Sequence, residues 1–164
     1  MTPALDIFRT PKNKNLQNKY IKTPKIIWDK LSKEFNFTVD LCASNKNHLL
    51  PKYYTKENNA LLQNWDNEIA YCHPIFDVNI PKFIAKAFQH NCITVFLLPG
   101  STNAKYFHNY FWDNKNHKVK KNVEIRFLTA DRIGYKFLSE NNEEPKFGYL
   151  KPLMIVIINN KKIR

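Results

Sequence analysis

The chain has 164 residues, 43% hydrophobic and 14% aromatic, which suits one folded domain and excludes a disordered polymer. No run approaches the roughly 20 apolar residues of a membrane span. The opening segment MTPALDIFRTPKNKNLQNKY lacks the apolar stretch of a signal peptide, so a cytoplasmic location is expected. Net charge is +12, with 22 lysines against 4 arginines, and this points to a polyanion partner, nucleic acid first. An AT-rich coding sequence explains the lysines and the 21 asparagines but does not remove the field they make. Cys42, Cys72 and Cys92 lie in apolar runs without CxxC spacing and read as buried free thiols.

Residues 1 to 22 hold five Lys or Arg against Asp6 and no sustained periodicity, and are expected to form a basic flexible arm. Thr23-Pro24 opens a helix, threonine as the cap and proline at the first position, with Ile26, Ile27, Leu31 and Phe35 as its apolar face. FTVDLCA (37 to 43) reads as a strand ending in a turn. The polar stretch that follows has room for one short helical turn. IAYCHP (69 to 74) is the second strand. Asp77 or Asn79 caps a helix whose face is Ile80, Phe83, Ile84, Ala87 and Phe88.

CITVFLLPG (92 to 100) is apolar on both faces and belongs in the middle of a sheet. TNAKYFHNYFWD reads as a helix or partial helix. VEIRFLT (123 to 129) and LMIVIIN (153 to 159) are the last strands, separated by a long loop or irregular hairpin and expected to pair antiparallel. Strands alternating with helices predict a doubly wound α/β sheet of about five strands in residues 23 to 164.

Ligands of an open α/β sheet sit outside the carboxyl ends of its strands. Three segments fall there: Asp40 to Ser44, His73 to Phe76, and Pro99 to Thr102. With three glycines in all, the chain holds no GxGxxG, phosphate loop or GxSxG elbow.

The ordered set TP-x3-W-x2-L, VDLCAS-x-KN, YYT, NNALLQNW, HPIF, VFLLPGSTNAKYF and IRFLTADRIGY resembles the phage-type DNA N-6-adenine methyltransferase (Dam) family over about residues 20 to 158. No single motif decides it; the order is specific. The resemblance implies a small Rossmann-like, S-adenosylmethionine-dependent methyltransferase fold, with helices on both faces of the sheet. It also implies DNA as the partner, the exocyclic amine of adenine as the methyl acceptor, and a prokaryotic or phage-encoded origin. Carried onto this chain, Thr23, Pro24, Asp40, Ala43, Ser44 and Asn59 would hold the cofactor. His73, Pro74 and Phe76 would form the catalytic loop, with Ser101, Thr102 and Asn103 on the site's rim. Arg132 matches an arginine of the family. With the lysine run Lys115, Lys118, Lys120 and Lys121 it is a candidate for phosphate contact.

The chain departs from the family pattern at two places. Asn59 stands where an acid is usual, and His73-Pro74-Ile75-Phe76 replaces asparagine, proline, proline and aromatic. His73 still offers a ring nitrogen and a carbonyl to an amine, and Phe76 can stack on a flipped base. The departures leave a second expectation open, a catalytically degenerate relative that binds DNA or a partner protein. A cytosine amine or RNA as acceptor is a third.

Overall fold

The computed structural model describes residues 21–129, 134–145 and 148–162. Residues 1 to 20 of the expected basic arm (1 to 22), and Arg132, lie outside the described residues. Helix α1 (Lys25–Glu34) precedes strand β1 (Val39–Asp40). A polar connection with one 3-10 turn (Ala60–Leu62) leads to β2 (Ile69–Cys72), and helix α2 (Ile80–Gln89) leads to β3 (Ile93–Pro99). A π-helical turn (Phe107–Phe111) and a short hairpin, β4 (Trp112–Asp113) with β5 (Lys118–Val119), precede β6 (Val123–Leu128) and β7 (Leu153–Asn159).

Five strands form one mixed sheet in the order β1-β2-β3-β7-β6. The first three are parallel, and β7 runs antiparallel to both β3 and β6. The expected antiparallel pairing of the last two strands is therefore present, with β7 inserted beside β3. Between β1 and β2 the crossover carries only the 3-10 turn, so α2 is the one α-helix that joins parallel neighbours.

Strand alternation sorts the core onto two faces. Ala70, Cys72, Phe96, Leu98, Met154, Val156 and Ile158 meet Ile80, Ile84 and Ala87 of α2 on one face. Tyr71, Val95, Leu97, Ile155 and Ile157 meet Ile27 and Leu31 of α1 on the other. Helices thus cover both faces. Ile26, expected on the buried side of α1, is 62% exposed; the apolar stripe turns through Trp28 instead. β3 is buried through five consecutive residues, as a strand covered on both faces must be.

The cap of α1 differs from expectation. Pro24 occupies the position before the first helical residue, its carbonyl accepts from the Ile27 and Trp28 amides, and no side chain caps the helix. The Thr23 hydroxyl is used elsewhere. At α2, Asn79 takes the cap position without a side-chain cap bond, while the Asp77 carboxylate accepts from the Asn79 amide.

Candidate active site

β1 and β2 end side by side, and the turns that follow them diverge around a cleft of about 840 Å³. Leu41, Cys42, Ala43 and Asn47 line it from the first turn, and His73, Pro74 and Ile75 from the second. Tyr54, Lys56, Asn59 and Leu61 come from the long crossover, Asp77 and Lys82 from the entry to α2, and Ile21 from the other side. The volume lies in the usual range for a small-molecule site, and the position is the one expected of an open α/β sheet.

Among the residues singled out from sequence, Ala43, Asn59, His73 and Pro74 share this cleft. Asn59 takes a positive φ of 39°, and its Oδ1 accepts from the Leu61 amide at 3.1 Å, which caps the 3-10 turn. Its amide hydrogens and second lone pair remain for a ligand. Asp40 is buried, and its carboxylate accepts the amides of Cys42 at 3.3 Å and Leu49 at 3.1 Å. It ties the 41–49 turn together from beneath. Burial raises its pKa, and those two amide bonds work against the rise. Ser44 likewise serves the turn: its hydroxyl accepts from the Lys46 amide, and its own amide donates to Asn47 Oδ1.

Tyr71 and His73 are two residues apart on β2 and its extension, so both face α1. The Thr23 hydroxyl meets them there, 2.8 Å from the Tyr71 hydroxyl and 3.1 Å from His73 Nδ1. His73 is 7% exposed, and its Nε2 has no hydrogen-bond partner among the described residues. Burial drives its pKa down to about 4, so the imidazole is neutral near pH 7. Phe76 is half-buried in an aromatic cluster. Its ring centroid lies 5.6 Å from that of His73, 6.4 Å from Phe137 and 5.9 Å from Tyr149.

Several residues at the site carry no mark of it in the sequence. Phe137 and Tyr149, which wall the His73–Phe76 loop, come from a segment without periodicity. Ile21 and Lys22 strap that segment, through the Ile21–Ser139 bridge and the Lys22 amide to the Leu138 carbonyl. Lys56 and Lys82 bring charge to the cleft, and nothing in their local sequence marks them; Asp77, expected only as a helix cap, adds a carboxylate.

The lysine run stands far away. Lys118 is in β5, and the Lys120 amide bonds to the Phe111 carbonyl at the entry to β6. β6 is the edge strand opposite β1, and its start, Val123, is level with Thr94 near the start of β3. The run is therefore at the diagonal corner of the sheet from the cleft, on the order of 25 Å away at ordinary strand spacing and rise. Ser101, Thr102 and Asn103 do not line the cleft either.

A family model described as DNA N-6-adenine-methyltransferase (Dam) matches residues 9–164. The chain belongs to the Dam family. It is 26% identical over 144 residues to a DNA N-6-adenine-methyltransferase of Haemophilus phage HP1 (strain HP1c1), a match covering 85% of this chain and 78% of that relative. No solved structure matches. No described helix is long and apolar enough to cross a membrane.

Proposed function

We propose that this protein transfers a methyl group from S-adenosylmethionine to the exocyclic amine of adenine in DNA. The observation that carries the reading is the meeting, in one cleft, of the turn after β1 and the His73-Pro74 loop after β2, in a chain that matches the Dam family from residue 9 to 164.

The cleft's chemistry fits the cofactor. Ala43, Ala60 and Leu61 offer small or apolar surface for a nucleoside, and Tyr54 adds a ring. Asn47 and Asn59 supply amide groups, and Asp77 supplies a carboxylate on the lining that suits a positively charged amine. Asp40 acts indirectly, by holding the turn that carries Ala43. When bound, the cofactor supplies an electrophilic methyl group. The chain's own part is positioning. Pro74 fixes the bend after β2, the His73 carbonyl accepts from the target amine, and Phe76 offers a ring for an extruded base to stack on.

Titration calorimetry with S-adenosylmethionine and tritium transfer to mixed-sequence DNA test the reading, with digestion to separate N6-methyladenine from N4-methylcytosine. Cofactor binding with label in N6-methyladenine is the expected result. No binding together with no transfer refutes it.

A further inference from the structure

We propose that the Tyr71 and Thr23 hydroxyls lock the His73 imidazole with its proton on Nε2, so that this residue presents a hydrogen-bond donor to a ring-nitrogen acceptor adjacent to the target amine. The base half of this inference rests on the methyltransferase reading above; the tautomer half does not.

Tyr71 is fully buried, and burial pushes its ionisation up, so the phenol keeps its hydrogen. Among the described residues the hydrogen-bond partner of that hydroxyl is Thr23 Oγ1, at 2.8 Å. A buried hydroxyl that fails to donate costs free energy, so Tyr71 donates to Thr23. The Thr23 hydrogen is then free for His73 Nδ1, 3.1 Å away, which accepts it. A neutral imidazole with Nδ1 accepting carries its proton on Nε2. The reverse chain, with Nδ1–H donating to Thr23 and Thr23 to Tyr71, leaves the phenol hydrogen with no acceptor among the described residues, and a Thr23 that accepts from both leaves its own hydroxyl hydrogen undonated.

Nε2–H is thus a donor, buried and without a partner among the described residues. Buried donors of this kind are rare in native structures and call for a ligand or a cost. His73 lines the cleft, and its carbonyl is an acceptor on the same residue. One donor beside one acceptor complements an amine next to a bare ring nitrogen, as on the Watson–Crick edge of adenine or cytosine. Guanine and thymine carry N–H at the corresponding ring nitrogen and would face donor with donor. Nε2 is buried, with the Phe76 and Phe137 rings 5.6 Å and 5.5 Å from the imidazole, so a base reaches it only if the rings around it move.

Tyr71 and Thr23 are positioning residues in this scheme, and the test reads the tautomer directly. Long-range 1H–15N NMR of the full chain, with His73→Phe to assign the signals, should find His73 protonated on Nε2 alone. Tyr71→Phe and Thr23→Val should each give a tautomer mixture, and Thr23→Ser should restore the single form. A proton on Nδ1 in the natural chain, or an unchanged spectrum in Tyr71→Phe, overturns the lock. For the base half, a deoxyadenosine single strand is compared with one carrying 1-deazaadenine, which keeps the amine and lacks the ring acceptor. Roughly tenfold weaker binding of the second strand is expected. Equal binding overturns the donor role. If neither strand binds, the base half falls, while the methyltransferase reading stands or falls on its own cofactor-binding and transfer assay and the spectrum alone still decides the tautomer.

Discussion

The Phe76 and Tyr149 rings meet edge to face with 5.9 Å between centroids, which joins the His73–Phe76 loop to a segment 73 residues further along the chain. The joint depends on a glycine. Tyr149 pairs with Tyr135 in an isolated bridge, and Gly134, just before, has φ of +67°. A Cβ there would lie 2.3 Å from the Tyr149 carbonyl oxygen. Gly134→Ala is expected to lower stability by about 1–3 kcal/mol through strain and displacement of the bridge. Urea unfolding would register the loss. Methyl transfer should fall further than the unfolded fraction explains, because Phe76 loses a wall; a proportionate fall would count against the joint.

His73 sets a pH dependence of stability. Its folded pKa of about 4 lies below the unfolded 6.5, so the unfolded chain binds the extra proton between those values. Stability from this group is full above about pH 6.5 and is lost as pH falls toward 4. A shift of this size corresponds to about 3 kcal/mol. Urea midpoints between pH 4 and 7.5 should show the slope, and His73→Phe should flatten it. An unchanged slope in that variant would assign the titration to another group.

Asp40 should act on the turn more than on the cofactor's charge. Its two oxygens hold two amides, and an asparagine can hold only one. Asp40→Asn is expected to destabilise by about 1–3 kcal/mol, with one buried amide left unpaired. Thermal unfolding measures this. Stability equal to the natural chain, with cofactor binding lost, would mean that the carboxylate acts on the ligand instead.

Lys56 and Lys82 are exposed on the cleft lining, whereas Lys115, Lys118 and Lys121 sit at the opposite corner of the sheet. Neutralising Lys56 and Lys82 together is expected to weaken duplex binding and cut the salt slope by nearly two. Neutralising the distant three should change the slope less. The opposite ranking in salt-dependent anisotropy would place the duplex across the β5–β6 corner.

Much of this was legible beforehand, and the misses share causes. LMIVIIN, read as 153 to 159, is β7 residue for residue, because an apolar run between polar flanks has no other use in a sheet. The α2 face follows from 3.6-residue spacing. Position in the sheet was not legible: nothing in β7 says that it enters beside β3, and that insertion sends the lysine run away from the cleft. Thr23 carries the letters of a helix cap, yet two hydroxyl and imidazole partners from β2 outcompete that local role. Phe137, 3% exposed, gave no periodic signal because the segment around it is irregular and is fixed only by long-range contacts.

The insertion of β7 also governs assembly. Residues 153–159 supply the partner for the whole length of β3 and the only ladder holding β6 to the rest of the sheet among the described residues. A nascent chain that has emerged only as far as residue 150 lacks the middle of its sheet and leaves β3 with an open edge. Closure has to wait for synthesis to pass Asn159, so folding is late and rests on pairings distant in sequence. Premature termination within β7 would remove the sheet's keystone while leaving every cleft-lining residue in the translated product.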